Sequence, residues 1–273
     1  MSSPRWSSAL GELRQGDSLP WLAGLPDASV DLVVTDPPYG IGKAWWDTFD
    51  DRRAYVAWAE GWLADVARVL TPRGTAYVMG FSEVLADLKW ACGDRFAGTR
   101  WLIWAFRNRG NLRSDWGRAH ESILHLRKSR DFTMNVDAVR VPYNAHTQRY
   151  PERTQGATSQ FGGGGASWTP NPLGAKPRDV IEVPLINNGM GEKTGHPTQK
   201  PEELIRRLVA ASSVPGDLVV DPFGGSGTTA VVCELLGRRW AVSEQSPEYI
   251  EMAVGRLDAV RAGEHSLADL RQA

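Results

Sequence analysis

The chain of 273 residues has only two cysteines, Cys92 and Cys233, each beside apolar residues in a helix-like context. They match neither a zinc-ligand spacing nor a disulfide framework, so a reducing compartment, the cytoplasm, is expected. No apolar run reaches the roughly 18 residues a membrane-spanning helix needs, and no membrane association is expected. The opening MSSPRWSSALGELRQGD lacks the apolar stretch of a secretion signal, so the expectation is a soluble, intracellular protein. Strong net charge is missing too. With 31 Lys and Arg against 32 Asp and Glu, no global basic field announces a nucleic-acid partner. There is no internal repeat, and no site for a metal is expected.

What the chain does have is ordinary globular composition, 42% hydrophobic and 23% charged, which excludes a mostly disordered chain. The charge is unevenly spread. From Arg100 to Arg153 there are 11 Lys and Arg against 5 Asp and Glu. Such a segment can be a phosphate-facing patch on an acidic body or simply a solvated, Arg-rich loop.

Short apolar runs alternate with helical patterns. Val30–Thr35 reads as a buried strand, and Ala54–Leu70 as a helix with apolar residues at Val56, Ala59, Leu63, Val66, Ala67 and Leu70. Thr71-Pro72-Arg73-Gly74 breaks it, and Thr75–Met79 is the next strand. Helix 83–91 and strands 101–106 and 122–126 follow. After an irregular stretch, helix 201–212, strand 218–220, helix 228–236, strand 240–243 and helix 247–260 complete the pattern. This alternation predicts an α/β protein with a doubly wound, mostly parallel sheet and an antiparallel pair at one edge. From Thr133 to Gly195 the pattern fails. That stretch is rich in Pro, Gly, Asn, Thr and Ser and holds Gly162–Gly165, the mark of a functional or disordered loop.

Two segments carry chemistry. Asp221-Pro222-Phe223-Gly224-Gly225-Ser226-Gly227 lies between a strand and a helix, where glycines let the backbone approach a ligand at a helix N-terminus. It lacks the Lys-Ser/Thr of a Walker loop, and alone it also suits a ligand-free turn. Glu244 closes the next strand, where a carboxylate can accept from two ribose hydroxyls. Taken singly it is equally a surface glutamate; behind the glycine turn it favours a nucleoside-containing ligand. The second segment, Asp36-Pro37-Pro38-Tyr39, ends an apolar strand. Two prolines stiffen the turn and remove two donors, which leaves the Asp36 carboxylate and the Pro37 carbonyl as acceptors beside an aromatic ring. Two acceptors can draw an exocyclic amine of adenine or cytosine toward sp3 geometry and aim its lone pair at a methyl sulfonium. A target base would first leave the helix stack, with Tyr39 stacking on it. Without the nucleoside site, a capped Pro-Pro turn explains the segment equally well.

With both segments in hand, the chain resembles the beta class of DNA amino-methyltransferases. In that class DPPY precedes the FxGxG cofactor loop, and the target-recognition region lies between them. Here DPPY is 36–39, FGGSG is 223–227, and the irregular 133–195 falls between. The resemblance implies a seven-stranded-type methyltransferase sheet, S-adenosyl-L-methionine as cofactor and double-stranded DNA as substrate. It implies a catalytic part at 1–132, a recognition insert at 133–195, a cofactor-binding part at 196–262 and a tail at 263–273. Asp36, Pro37, Pro38 and Tyr39 would be catalytic. Asp17 would meet the cofactor adenine, while His196, Thr198 and Lys200 of HPTQKP would close over its methionine part. Asp221, Phe223 and Gly225 would line the rest, with Glu244 at the ribose. Relatives often carry Ala where Gly224 stands, and the glycine is expected to be tolerated there.

Arg107, Arg109, Arg113 and Arg118, interleaved with polar residues, are the phosphate-contact candidates. Base reading falls to the insert, around 146–153. Of the 12 tryptophans, Trp45, Trp46, Trp101, Trp104 and Trp116 could stack on bases, although packing accounts for most. Asp rather than Ser at position 36 favours adenine N6 over cytosine N4. A homodimer and a cognate restriction enzyme are partners the resemblance allows. Methylation of RNA, or a catalytically silent DNA-binding protein, are the rival functions. An intact Asp36 and Tyr39 argue against the silent one.

Overall fold

Three consecutive apolar residues on one strand, Leu32, Val33 and Val34, are all fully buried, which requires protein on both faces of the sheet. The computed structural model, which describes residues 3–108, 114, 116–151, 153–154 and 167–266, supplies both. It has a main unit, Met1–Met134 with Asp179–Ala273, and a second unit, Asn135–Arg178.

In the main unit the chain runs β1 (Trp6–Ser7), β2 (Gly11–Gln15), α1 (Ser18–Ala23), β3 (Val30–Thr35), α2 (Arg52–Val69), β4 (Leu70–Gly80), α3 (Ser82–Ala91), β5 (Gly98–Ala105) and β6 (His120–Arg127). The second unit holds α4 (Ala145–Arg149) and an antiparallel pair, β7 (Arg153–Thr154) and β8 (Ser167–Trp168). The main unit resumes with β9 (Val180–Glu182), α5 (Glu202–Ser212), β10 (Leu218–Asp221), α6 (Thr228–Leu236), β11 (Arg239–Glu244) and α7 (Pro247–Arg261).

Nine strands form one sheet in the order β1-β2-β11-β10-β3-β4-β6-β5-β9. From β2 to β4 all neighbours are parallel; β6 runs antiparallel between β4 and β5, and β1 is antiparallel to β2. Antiparallel pairing therefore occurs in two places. β6 lies inside the sheet between β4 and β5, and β9 adds parallel to the outer side of β5, so this antiparallel strand is not at the edge.

β3 sends alternate side chains to opposite faces from Leu32 onward, and an irregularity in its pairing with β4 between Val30 and Leu32 puts Val30 on the face of Val33. Leu32 and Val34 pack with Leu204, Leu208, Val231 and Ile250 of α5, α6 and α7. Val30 and Val33 pack with Trp62, Leu63 and Val66 of α2 and Leu88 of α3. The helices after β3 and β10 thus cover different faces, and a crevice opens at the carboxyl ends of these neighbouring strands. Their register, Val219 beside Leu32 and Val220 beside Val33, brings Asp36 and Asp221 to the same edge.

The N-terminal β1, β2 and α1 carry no clear sequence signal, since Gly11–Gln15 holds a single apolar residue, Leu13. β2 is fixed by its partner instead. A Cβ on Gly11 would lie 2.2 Å from the Trp240 carbonyl oxygen and 2.5 Å from its indole. Among the described residues no helix is long and apolar enough to cross a membrane. Gly11→Ala should therefore cost about 1–3 kcal/mol by overpacking, measured as a lower urea midpoint; an unchanged midpoint would show that β2 yields freely.

Candidate active site

Asp36-Pro37-Pro38-Tyr39 leaves the end of β3 and folds back on itself. The Tyr39 hydroxyl donates to Asp36 Oδ1 at 2.6 Å, and its buried ring meets Phe81 edge-on at 4.9 Å. Burial, and then the Asp36 charge, hold the phenol well above its usual pKa, so it keeps its proton. The turn is clamped by a residue beyond it. The buried Asp47 carboxylate accepts from the backbone N–H groups of Tyr39 (2.6 Å), Gly40 (2.7 Å), Ile41 (3.3 Å) and Lys43 (2.9 Å). Tyr55 donates its hydroxyl to the Pro38 carbonyl at 3.0 Å. Gly40 has φ +68°, and a Cβ there would press on the Tyr55 ring at 3.0 Å.

At the end of β10, Asp221 accepts from Thr35 Oγ1 (2.9 Å), Thr229 Oγ1 (2.7 Å) and the Phe223 N–H (3.1 Å). Burial pushes its carboxyl up to about 6, against those three donors. The glycine turn has little room. A Cβ on Gly225, at φ +51°, would meet His196 Nε2 at 3.0 Å, and one on Gly227, at φ +77°, would meet Ala253 Cβ at 2.6 Å. Gly224 is as tightly placed, because a Cβ there would stand 2.3 Å from Val242 Cγ1 and 3.2 Å from the Ser243 carbonyl. Glu244 accepts from the Gly225 N–H (2.8 Å) and the Ser246 N–H (2.7 Å). Burial raises its pKa despite these two donors.

The segment 196–200 lies over the crevice. His196 packs edge-on against Tyr249 at 4.2 Å and accepts the Thr198 N–H on Nδ1 at 3.3 Å. Burial lowers its pKa to about 4, with Asp36 opposing and Lys200 assisting, so the ring is neutral at pH 7. The buried Lys200 ammonium donates to Asp36 Oδ2 and stands 3.7 Å from Glu121 Oε2. Burial alone would lower its pKa, but Asp36 and Glu121 outweigh burial and hold it above its ordinary value.

Two adjoining cavities result. The first, about 250 Å³, lies over the glycine turn and reaches Asp17 and Glu244; the second, about 260 Å³, is lined by Pro37, Tyr39, Phe81 and Glu121. Asp36, Trp46, His196, Thr198 and Lys200 line both. The first has a glycine cradle that a Cβ would fill, a carboxylate beside the strand end and an apolar wall of Phe223 and Trp58, ring centroids 5.6 Å apart. These features suit a nucleoside-bearing cofactor.

Residues 30–255 match the N6/N4 family described as DNA methylase. The chain belongs to that family. It is 32% identical over 265 residues to DNA adenine methyltransferase YhdJ of Escherichia coli (strain K12), covering 93% of this chain and 85% of that protein. It is 35% identical to type II methyltransferase M.HpaI of Haemophilus parainfluenzae, across 87% and 71% of the two chains. It is 32% identical to type II methyltransferase M1.MboII of Moraxella bovis, across 89% and 95%. The fold matches that of PvuII DNA methyltransferase (cytosine-N4-specific), with a TM-score of 0.70 at 20% identity, covering 93% of this chain and 88% of that one.

This DNA methylase brings all eight expected cofactor residues, Asp17, His196, Thr198, Lys200, Asp221, Phe223, Gly225 and Glu244, to the wall of the first cavity. Pro38 lines the first cavity, and Pro37 and Tyr39 the second. Asp17 also caps α1 by accepting the Leu19 N–H at 3.0 Å. The arginines are placed differently. Arg107 is exposed beside Glu182 at 3.5 Å, while Arg118 stacks on Phe81 at 3.8 Å and lies 3.3 Å from Glu83. Arg109 and Arg113 fall outside the described residues, as do Gly162–Gly165. Trp104 is buried and donates to the Val183 carbonyl at 2.8 Å, and Trp101 donates to Ser122 Oγ at 2.9 Å, so both have packing roles; Trp45 is 70% exposed.

Two side-chain roles were not read from the sequence, those of Asp47 and Arg256. Arg256 donates to the Ser226 carbonyl (2.8 Å), to Thr228 Oγ1 (2.9 Å) and to Glu202 Oε1 (2.5 Å), bracing the glycine turn from α7. Only the closeness of Asp47 to Tyr39 hints at its clamp.

Asp47→Ala strips one acceptor from four N–H groups and should lower stability by about 2 kcal/mol or more while slowing methyl transfer; wild-type values on both measures would refute the clamp. His196 gives a pH dependence. Its folded pKa of about 4 lies below the ordinary 6.5, so its contribution is complete above pH 6.5 and is lost as pH falls toward 4. His196→Asn should therefore lose less stability than wild type between pH 7 and 4.5 in urea titrations. Equal losses would mean the ring is not held neutral.

Proposed function

We propose that this DNA methylase transfers a methyl group from S-adenosyl-L-methionine to the N6 amino group of adenine in a flipped-out base of double-stranded DNA. The carrying observation is Asp36, standing on the wall shared by both cavities with Tyr39 donating to one of its oxygens. When bound, S-adenosyl-L-methionine supplies an electrophilic methyl group. Glu244 and Asp17 would hold its adenosine end, and Asp221, Phe223, Gly225, His196, Thr198 and Lys200 the rest.

The second cavity would hold the base. Asp36 and the Pro37 carbonyl accept from the amine and orient its lone pair toward the first cavity; Tyr39 and Phe81 bound the aromatic face. Tyr39, kept protonated, donates to Asp36 and fixes which oxygen remains for the amine. The neutral His196 adds no charge between the cavities.

Asp at position 36 and the named activity of YhdJ support adenine over cytosine. The residues 133–195 would recognise the target sequence, and Arg107, Arg109, Arg113 and Arg118 would contact phosphates. The type II names of M.HpaI and M1.MboII support a restriction–modification role with a cognate restriction enzyme, in the cytoplasm. A homodimer is compatible with that role.

Nucleoside mass spectrometry of DNA incubated with protein and cofactor should show N6-methyladenine. N4-methylcytosine would reassign the base, and no methylated product at any sequence context would sink the reading. Asp36→Ala should abolish transfer while cofactor affinity stays within about threefold.

A further inference from the structure

Asp36 is not free in this structure. Its Oδ1 receives the Tyr39 hydroxyl and its Oδ2 the Lys200 ammonium. An acceptor bound to a full cation is a weaker acceptor for an incoming amine, and the amine gains nucleophilicity only as far as its acceptor is electron-rich. Lys200 is 7% exposed, so water is not available to receive its charge. Another carboxylate is in reach. Glu121 Oε2 lies 3.7 Å from Lys200 Nζ and is buried with no hydrogen-bond partner among the described residues. A buried carboxylate oxygen without a donor is costly, which marks that atom as waiting for one.

Glu121 is set on a stiff support. It lies in β6, opposite Trp104 of β5, and its neighbour Ser122 pairs with Met79's successor Gly80 across β4. Ser122 Oγ is further tied to Ser82 Oγ at 2.8 Å and to the Trp101 indole at 2.9 Å. The backbone carrying Glu121 therefore holds still while Lys200, on a flexible four-carbon stem, can move. A shift of about 1 Å takes Nζ from ion-pair distance to hydrogen-bond distance of Glu121.

Resting on the reading of the second cavity as the base site, we propose that Glu121 is a positioning residue that takes the Lys200 ammonium from Asp36 as the target amine enters. One ammonium serves two carboxylates. In the ligand-free protein it neutralises Asp36; with the base seated it pairs with Glu121, and Asp36 Oδ2 is left as an anionic acceptor for the amine. The local charge is the same before and after, so no buried charge is created.

The test is single-turnover methylation of duplex DNA at saturating cofactor, run long enough to register slow variants, on the full-length protein. Glu121→Gln should slow the transfer step at least about tenfold, with KM for DNA and Kd for S-adenosyl-L-methionine within about twofold of wild type. Glu121→Asp should restore most of the rate. In a Lys200→Met background, Glu121→Gln should add less than about twofold, because its partner is gone. Thermal midpoints of all variants separate a folding loss from a rate loss. A Glu121→Gln rate within about twofold of wild type overturns the proposal, as do losses that multiply fully in the double variant, the result expected if Glu121 touches the base directly. A wild-type protein that methylates no DNA overturns the proposed function itself; an active wild type with an indifferent Glu121→Gln overturns only the relay.

Discussion

The parallel pairing of β3 with β10 is the constraint on which the site depends. It sets Leu32 beside Val219 and Val33 beside Val220, and it is closed at the end by Thr35 donating to Asp221 at 2.9 Å. Residues 186 positions apart in sequence thereby become walls of one crevice. Each strand supplies one half of the equipment: β3 delivers the stiff acceptor turn, and β10 the glycine turn. Because the following helices pack on opposite faces, neither helix covers the strand ends.

The acidic residues at this edge show how one charge type is put to several uses. Asp47 collects four backbone N–H groups and shapes a loop, while Asp221 collects two hydroxyls and one N–H and joins two strands. Glu244 receives two N–H groups and keeps lone pairs facing the first cavity. Asp36 is served by a hydroxyl and an ammonium, both on side chains rather than on the backbone. Backbone donors are fixed and side-chain donors can leave, so the carboxylate with movable partners is the one suited to taking up a substrate.

Much of this was legible in the sequence where local pattern and tertiary demand agree. Val30–Thr35 and Leu218–Asp221 are apolar runs because their strands are buried on both faces, and the motifs that end them were readable as such. The register that aligns them depends on both strands together and could not be read from either run. β2 was illegible because its position is set by Gly11 fitting against Trp240, a contact with a residue far along the chain. The closeness of Gly224 to Val242 was hidden for the same reason: Val242 belongs to a neighbouring strand. Glu121 carries no motif that marks it, and only the strand's alternation turns it toward Lys200 while the neighbouring His120 is exposed. Arg107 and Arg118 read as cationic, but the sequence could not show the carboxylates Glu182 and Glu83 beside them.

The two cavities meet at Asp36, yet much of their lining is separate. Ile205, Phe223 and Tyr249 face only the first, whereas Phe81, Leu185 and Ile186 face only the second. Substitutions in walls that share no partner act nearly independently. The enzyme is consequently open to engineering from two sides, provided that His196, which packs on Tyr249 and lines both cavities, is kept. Enlarging the first set would admit donors with bulkier transferable groups, and reshaping the second would alter the choice of base, with the Asp36 turn left untouched as the common jig.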